Sequence, residues 1–565
     1  MGRFDQSRSG RAYAERIIRA MSLDEKVGQL FILFAYGQTV AGDDARNTAV
    51  YGEPNASRII GRYCPGGFIL FSARDNIANP CQVAELSNGL QASALGAGAK
   101  IPLLVSIDQE HGLVNRIGPP ATQFPPNMAL GAGRSTDDAR TAAAISGAEL
   151  AAMGIHQNYA PVADVNVNPD NPVTGVRSFS SDPEVVSEMA AATVKGYQTD
   201  ARLIATAKHF PGHGDTATDS HTGLPLITHS IQDWERIDAP PFRAAISAGV
   251  ASIMTAHIVV PSLDSSGEPA TLAKRIVTGQ LRDRLGFDGV IVTDGLEMAG
   301  VRGRHGDAEV VVRALEAGVD QLLLPPAPRE AYDAVTAALA VGRLSEQRID
   351  ESVKRILIMK YNQGVVRHPQ VDVARVEGRV GTDSHLRIAG EISDKTPTLL
   401  RNLGHPLPLT VEGKRVFVTS YGTATGQALA DQLNQRGATA TAMSTDTAPT
   451  ADQQGEALAT AKNHDVTVVL TSNVTAGSPQ QHFVTELLAT GAMVIVASVG
   501  NPYDIAQLPR APTLIAIYSA SLVSIRSLAR VITGEIAPTG RLPVDIATAA
   551  DPDRALYPFG YGLTW

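Results

Sequence analysis

The sequence contains little cysteine and no long apolar run. Only Cys64 and Cys81 occur among 565 residues, so no disulfide framework is predicted and a reducing compartment is expected. No apolar stretch reaches the roughly eighteen residues of a transmembrane helix. The opening segment MGRFDQSRSGRAYAERIIRAM lacks the apolar core and the cleavage site of a secretory signal. We therefore expect a cytoplasmic protein that does not enter a membrane.

Positive charge is in deficit. The chain carries 48 Lys and Arg residues against 57 Asp and Glu residues, a formal net charge of -9 at pH 7. This balance argues against nucleic acid and anionic membranes as partners. The hydrophobic fraction of 44% and the charged fraction of 19% are typical of a globular protein. A chain of this length is too long for one core and predicts two or more domains.

Apolar strand-like runs alternate with helix-like segments over residues 1–367. A pattern of this kind indicates parallel βαβ units, and eight of them predict an α/β fold of the (β/α)8 TIM-barrel type. At the start, Ser22 and Glu25 have the spacing of a capping box. The polar stretch 39–62 is irregular, so no regular helix is predicted there. The eight runs are QLFILFA, GGFILF, IPLLVSID, HQNYAPVADV, RLIATAKHF, SIMTAHIVV, GVIVTD and QLLLPP.

A second α/β alternation follows. Residues 368–384 are polar and aperiodic and are predicted to be a linker, and residues 385–565 are predicted to form an αβα sandwich. Its expected strands are RVFVTSY, DVTVVLTS, AMVIVASVG and TLIAIYSA. Its glycine-containing turns lack G-x-G-x-x-G, so a dinucleotide site is not predicted.

Ionisable residues follow the predicted barrel strands, where the active sites of such barrels lie. Unpaired buried charges cost several kcal/mol, so these groups must pair with one another or serve a ligand. The pattern predicts a site on this rim. Its residues are Asp108, Asp164, Arg177, Lys208, His209, His257 and Asp294.

The segment KHFPGHGDTATDSHTGLP, residues 208–225, holds three of the thirteen histidines of the chain. Glycine and proline punctuate it, so it is predicted to be a long loop after a strand. Ionisable groups on a loop held by a rigid scaffold are typical of a functional site. A solvated surface loop remains an alternative, as does a metal site built from His209, His213, Asp215 and His221.

This loop resembles the signature of glycoside hydrolase family 3, and its Asp-Ser-His ending resembles the bacterial β-N-acetylglucosaminidase branch. The resemblance implies that His221 is the general acid/base and that Asp219 orients it. The chemistry agrees, because a carboxylate beside an imidazole fixes its tautomer and stabilises the imidazolium. Such a group can donate a proton first and accept one later.

Three further segments, SIDQEHGLVNRI, NYAPVADVNVNPDNPVTGVRSF and GVIVTDGLEMAG, resemble family motifs. The resemblance covers nearly the whole chain. It implies that Asp294 is the catalytic nucleophile. It also implies that the sugar is bound by Asp108, Arg116, Arg177, Lys208 and His209.

The chain departs from the family pattern at three of these positions. His111 stands for a glycine and Leu113 for an arginine, and Gly295 stands where many relatives have a second aspartate. We expect the bulkier side chain at position 111 to narrow or redirect the pocket.

The resemblance implies a retaining exo-β-N-acetylglucosaminidase that forms a covalent glycosyl-enzyme and needs no metal or organic cofactor. A neutral imidazole in place of the usual second carboxylate would not repel an anion, so inorganic phosphate could replace water as the acceptor. The alternatives are a phosphorylase of β-N-acetylglucosaminides or β-glucosides, a dual-specificity β-glucosidase, a metal-dependent hydrolase and a non-catalytic sugar-binding protein.

Overall fold

The computed structural model describes residues 8–421, 425–446 and 448–565. Within these ranges the N-terminal part forms an eight-stranded parallel barrel, as predicted. Each barrel strand pairs with the next along the chain, the last pairs with the first, and a bridge between Val292 and Gln321 joins the last two. The barrel strands are β1 (Phe31–Leu33), β2 (Gly67–Ile69), β3 (Leu104–Ile107), β6 (Gln157–Asn158), β7 (Ile204–Phe210), β8 (Ser252–Thr255), β9 (Val290–Thr293) and β10 (Leu322–Leu323).

A small antiparallel hairpin follows β3 directly. It consists of β4 (Gln109–His111) and β5 (Val114–Asn115), with Gln109 opposite Asn115 and His111 opposite Val114. Because side chains alternate along an extended strand, the hairpin presents different residues on its two faces.

The helices of the barrel begin with polar capping residues at most of their N-termini. The capping box predicted at Ser22 is confirmed: the Ser22 hydroxyl accepts from the Glu25 amide, and the Glu25 carboxylate accepts from the Ser22 amide. The helices are α1 (Arg8–Ile18), α2 (Leu23–Gln29), α3 (Ala45–Tyr51), α4 (Ala56–Tyr63), α5 (Pro80–Leu95), α6 (Asn127–Gly133), α7 (Thr136–Ala152), α8 (Pro183–Lys195), α9 (Ile231–Arg236), α10 (Ala239–Ser247), α11 (Ala299–Arg302), α12 (Asp307–Ala317), α13 (Pro328–Ala340) and α14 (Glu346–Asn362), and π-helical turns span Gly196–Asp200 and Arg275–Arg284.

The irregular stretch 39–62 is more ordered than the sequence indicates. It contains α3 and most of α4, which are capped by the side chains of Asp44 and Asn55. Each helix has only about two turns, too few to produce a clear apolar repeat in the sequence.

The C-terminal domain is built on one six-stranded sheet with an apolar core on each face. In the sheet, β12 to β16 are parallel, and β11 runs antiparallel to β16 along one edge. The strands are β11 (Thr398–Asn402), β12 (Arg415–Tyr421), β13 (Thr439–Thr445), β14 (Val466–Thr471), β15 (Met493–Ser498) and β16 (Thr513–Ala516), with a separate hairpin of β17 (Ile546–Thr548) and β18 (Asp551–Tyr557). The helices are α15 (Asp383–Ser393), α16 (Thr425–Asn434), α17 (Ala451–Ala461), α18 (Pro479–Ala489) and α19 (Leu522–Thr533).

The region predicted as a linker joins the two sheets along the surface of the barrel. It contains a 3-10 turn over Val373–Arg375, and α15 begins inside it. His385 of α15 makes a 2.7 Å contact with the buried Glu149 of α7. The exact domain limits, 367 and 385, stay predictions. Among the described residues, none of the helices is both long and apolar enough to cross a bilayer.

Candidate active site

A cavity of about 300 Å³ opens at the carboxyl ends of the barrel strands. All of its lining residues belong to the barrel part of the chain. Seven of the eight predicted site residues line it, and the eighth, Asp219, is hydrogen-bonded to one of them. The seven are Asp108, Arg116, Arg177, Lys208, His209, His221 and Asp294.

A network of four charged residues, two of them buried and two partly exposed, forms one wall of this cavity. The Lys208 ammonium lies 2.7 Å from Asp108 and 2.6 Å from Glu110. Arg177 grips Glu110 through two hydrogen bonds of 2.8 Å each. Two cations therefore face two anions, and the network is neutral as a whole.

The ionisation of this network is set by mutual pairing. Burial would raise the pKa of Glu110, but Arg177 and Lys208 hold it well below its usual range. Burial would likewise lower the pKa of Lys208, but Asp108 and Glu110 raise it. Pairing with Glu110 also raises the pKa of Arg177 against the effect of burial. Glu110, Lys208 and Arg177 therefore stay charged at neutral pH.

Glu110 was not among the predicted site residues. Its side chain is only 1% exposed, yet it borders the cavity and contacts both Arg177 and Lys208. Its spacing from Asp108 is a signal in the sequence, because residues two apart on an extended strand share a face and Asp108 is a predicted site residue.

Asp164 holds the start of the long loop. It accepts from the Nδ1 of His209 at 2.6 Å and from the backbone amides of His209 at 3.1 Å and His213 at 2.8 Å. Burial would raise the pKa of Asp164, but His209 and the further hydrogen bonds lower it. This carboxylate fixes the ring of His209, whose other nitrogen faces the cavity side near Arg177.

Asp294 follows the last residue of β9 and lies half-buried at the floor of the cavity. Its amide donates to the Thr255 carbonyl at 3.0 Å, and its Oδ1 accepts from the Gly295 amide at 2.8 Å. Burial would raise the pKa of Asp294, but the imidazoles of His209 and His257 and the Gly295 amide lower it. The carboxylate is therefore ionised at neutral pH, and it lines the cavity.

His221 and Asp219 form a hydrogen-bonded dyad on the long loop. Asp219 Oδ1 lies 2.8 Å from His221 Nδ1 and also accepts from the His221 amide at 2.8 Å. The His221 side chain is 61% exposed, so its other ring nitrogen is open to the cavity and to solvent. Burial would raise the pKa of Asp219, but these bonds to His221 lower it.

The tip of this loop is bonded to the segment that follows Asp294. The amides of Ala299 and Gly300 donate to the carbonyls of His221 and Ser220 at 3.3 and 3.0 Å. A Cβ at Gly300 would lie 2.9 Å from the Ser220 carbonyl, so only glycine permits this approach. The loop that carries the dyad is thus tied to the loop that carries Asp294.

The guanidinium of Arg116 has no hydrogen-bonded partner among the described residues, although its backbone bonds to Gln109 and Ser72. Its guanidinium lies over the ring of Phe71 at 5.4 Å, lines the cavity, and donates to no side chain or carbonyl in the described structure. An arginine fork with open donors suits hydroxyl pairs or an oxyanion.

His111 does not reach the cavity, so the expectation that it narrows or redirects the pocket is wrong. It adopts a left-handed conformation with a φ of 67°. Its ring is buried against Phe124, 5.3 Å between centroids, and lies 3.1 Å from the Ser146 hydroxyl. Histidine in place of the family's glycine at position 111 therefore changes the packing against Phe124 and Ser146. The cavity wall is formed by the adjacent residues Glu110 and Val114.

The four side chains weighed as metal ligands are engaged elsewhere. His209 contacts Asp164, His213 contacts Ser220 at 3.0 Å, and His221 contacts Asp219. Asp215 pairs with His229, which also contacts Asp238, at 2.9 and 2.8 Å. Among the described residues no group of three or more His, Cys, Asp and Glu side chains is arranged to hold a metal ion.

Comparison with known families assigns both parts of the chain. The glycosyl hydrolase family 3 N-terminal domain matches residues 22–359, and the family 3 C-terminal domain matches residues 397–565. The chain belongs to glycosyl hydrolase family 3. The hydrolase carries the residues of its candidate site on the first of these domains.

Relatives of this hydrolase support the assignment. It is 39% identical to a β-hexosaminidase A of Pseudoalteromonas piscicida, over 65% of this chain and 64% of that protein. It is 29% identical to a β-N-acetylglucosaminidase/β-glucosidase of Cellulomonas fimi, over 96% and 97% of the two chains. The solved structure of a family 3 β-N-acetylglucosaminidase from Paenibacillus sp. str. FPU-7 superposes with a TM-score of 0.85 at 38% identity, covering 93% of this chain and 99% of that one.

Proposed function

We propose that this hydrolase is a retaining exo-β-N-acetylglucosaminidase that removes terminal β-linked N-acetylglucosamine. The observation that carries the proposal is that one cavity holds the half-buried carboxylate of Asp294, whose pKa is lowered, and the imidazole of His221, which is hydrogen-bonded to a second carboxylate. A cavity of about 300 Å³ is at the small end of ligand sites, which favours a single terminal sugar. The names of the relatives supply the sugar class.

The charged wall would bind the ring of this sugar. Asp108, Lys208 and His209 offer acceptors and donors for adjacent hydroxyls. Two arginines would bind the remaining polar substituents. They are Arg177, whose guanidinium is oriented by its two bonds to Glu110, and Arg116, whose guanidinium has unpaired N–H donors. Because the network is paired before substrate arrives, little reorganisation is needed on binding.

In the first chemical step, Asp294 attacks the anomeric carbon while the cavity-side nitrogen of His221 donates a proton to the departing oxygen. The bond to the aglycone breaks, and an ester to Asp294 forms. In the second step, His221 accepts a proton from water as the water displaces Asp294. Asp219 stabilises the imidazolium and fixes its tautomer throughout. Two inversions at the same carbon retain the β configuration.

Phosphate is a second acceptor that two observations favour. After the first step His221 is a neutral base, whereas a carboxylate base would repel an anion ~4 Å away by ~4 kcal/mol at an effective dielectric of 20. The open guanidinium of Arg116 supplies a cation in the same cavity. Phosphorolysis through Asp294 would give a β-configured sugar 1-phosphate, because it also inverts the carbon twice.

The proposal extends to the natural setting. We propose that the enzyme acts in the cytoplasm on recycled cell-wall fragments or imported chitin oligomers. A glucoside preference is the alternative specificity.

A slow fluorinated N-acetylglucosaminide tests the nucleophile. Peptide mapping should place the covalent sugar on Asp294 in the wild type, and Asp294→Asn should bind sugar without labelling. The matched control is Glu297→Gln, which removes another carboxylate of the same cavity, 43% exposed and without a role in holding the sugar, and should still label at Asp294. A label on any other carboxylate would contradict the mechanism. Product analysis with and without millimolar phosphate decides the acceptor, since free sugar alone in both cases favours plain hydrolysis.

A further inference from the structure

The long loop that carries the acid/base dyad has a neck, the point where its two sides meet. The loop leaves the barrel after β7 and ends before α9. The Nε2 of His229, on its returning side, lies 2.9 Å from the carboxylate of Asp215 on its leaving side. This contact closes off the segment 216–228, which contains Asp219 and His221. The position of the dyad therefore depends on how the neck is held.

The imidazole of His229 is also fixed to the barrel. Its Nδ1 lies 2.8 Å from Asp238, the residue before α10, whose side chain is only 2% exposed. In α10, Phe242 packs edge-on against Phe210 of β7, with 5.2 Å between the ring centroids, so this helix is attached to the barrel wall. One side chain thus joins both sides of the neck to the barrel.

The charges make this junction stronger than a neutral hydrogen bond. Hydrogen bonds to Asp215 and Asp238 raise the pKa of His229 to about 10, so the ring is an imidazolium at neutral pH. Both of its N–H groups then donate to carboxylates, and charge-assisted bonds are about twice as strong as neutral ones. The His229 side chain is 13% exposed, so solvent screens the interaction only weakly.

The leaving side of the loop is packed against the same region. Gly212 has a φ of 127°, and a Cβ there would lie 2.7 Å from Asp238 Oδ1, so only glycine lets the chain approach this closely. The indole of Trp234 in α9 donates to the Pro211 carbonyl at 2.9 Å. These contacts set where the loop leaves the barrel, and His229 sets where it returns.

Short local bonds connect the neck to the dyad. The hydroxyl of Thr216, the residue after Asp215, donates to the Thr218 carbonyl at 2.8 Å and accepts from the Thr218 amide at 3.0 Å. Asp219 follows directly, and its carbonyl accepts from the Gly223 amide at 2.9 Å. Because the chain from Asp215 to Asp219 is folded into these turns, a displacement of Asp215 would also displace the dyad.

We propose that His229 is a positioning residue, which holds the neck of the long loop closed and so keeps the dyad of His221 and Asp219 at the sugar cavity. The tip of the loop is bonded to the segment after Asp294, and the neck supplies the second fixed point. The inference rests on the proposed function for the role of His221. It adds to that function a residue that does not line the cavity.

The dependence of the rate on the leaving group tests this role. His229→Ala should lower kcat/KM for an alkyl β-N-acetylglucosaminide by about 10- to 100-fold, because a displaced general acid transfers its proton poorly. The loss should be far smaller on a dinitrophenyl glycoside, whose leaving group needs no proton. The matched control is His385→Ala, since His385 also contacts a buried carboxylate but lies on α15. It should leave the ratio of the two rates unchanged.

A double-mutant comparison separates positioning of the dyad from a general loss of structure. If His229 acts through His221, adding His229→Ala to His221→Ala should cost no further activity on the alkyl substrate. Asp215→Asn removes a charge from the other side of the neck and should give the same leaving-group pattern as His229→Ala. Equal losses on the two substrates, or a full further loss in the double variant, would overturn the positioning role.

Hydrogen exchange keeps this inference apart from the proposed function. Peptides from 216–228 should exchange faster in His229→Ala than in the wild type, while a peptide over β7 and the same segment in His385→Ala should not change. If the wild type releases no sugar from either substrate, the proposed function fails, and the exchange of this segment still decides whether His229 holds the loop. Unchanged exchange over 216–228 would overturn the inference.

Discussion

Replacement of Glu110 by glutamine tests whether the charged wall of the sugar cavity depends on one buried carboxylate. The side chain is 1% exposed and holds both Arg177 and Lys208. In Glu110→Gln the shape is kept and the charge is removed. Lys208 retains the carboxylate of Asp108, but Arg177 retains no ion pair and keeps only the neutral contacts with the Val173 carbonyl at 3.0 Å and the His209 ring nitrogen at 3.5 Å.

The expected cost is about 3–5 kcal/mol in the free energy of unfolding, the range for removing one partner of a buried pair. The low pKa of Glu110 gives this cost a pH dependence. A folded-state pKa below the unfolded value of about 4.3 means that the stabilisation is present above that pH and is lost as the pH falls towards the folded pKa. The difference between wild type and variant should therefore be full at pH 7 and shrink in acid.

Urea unfolding followed by tryptophan fluorescence would measure this cost. The chain has two tryptophans, and Trp234 is buried in the barrel, where its indole donates to the Pro211 carbonyl. In a Trp565→Phe background the signal reports the barrel alone. Glu297→Gln is the matched control, since Glu297 lines the same cavity but is 43% exposed and contacts Arg74 at 3.3 Å. It should cost less than about 1 kcal/mol. Equal losses for the two variants would refute the reasoning.

Two further predictions concern the long loop. His221→Ala should slow substrates with poor leaving groups by about 10²–10⁴-fold and activated aryl glycosides far less, because only the former need the proton. Asp219→Asn should give a milder form of the same pattern. A uniform loss on both substrate types in steady-state assays would contradict the acid/base role. His229 contacts Asp215 and Asp238, whose hydrogen bonds raise its pKa to about 10. Since this pKa is above the unfolded value of about 6.5, its stabilisation is complete below pH 6.5 and is lost as the pH rises to 10. The difference in thermal unfolding temperature between wild type and His229→Gln should shrink over that window, and a constant difference would exclude an ionic role.

The sequence predicts the architecture because strand ends and motifs are local signals. The alternation of apolar runs with helical segments places Asp108, Lys208 and Asp294 at the ends of their strands, and the barrel brings them to one rim. The strands themselves are much shorter than the apolar runs. The strand within HQNYAPVADV is only Gln157–Asn158, with an isolated bridge from Val162 to Lys208. The strand within QLLLPP is only Leu322–Leu323, with a bridge from Gln321 to Val292. Apolar content reports burial, and it does not report where hydrogen-bonded pairing begins and ends.

Other features depend on which face a side chain takes. His111 is predicted near the pocket from its position in a motif, but its left-handed backbone turns the ring towards Phe124 and Ser146. The edge strand β13 was missed because its residues, TATAMST, are small and partly exposed. A cavity of about 470 Å³ between the barrel and the C-terminal domain is lined by both Leu113 and Leu522, and no local pattern connects residues so distant in the chain.

The hairpin after β3 separates two cavities, and residues adjacent in the sequence line opposite sides of it. Val114 and Arg116 line the sugar cavity, whereas Leu113 and Asn115 line the cavity between the barrel and the C-terminal domain. Only Val114 and Asn115 belong to the hairpin strand, and their side chains point to opposite faces because the period along a strand is two. An insertion or deletion here would shift residues relative to both cavities, so we expect a substitution to be tolerated better. Substitutions at Val114 and at Asn115 therefore act on different cavities, although the two residues are adjacent in the chain.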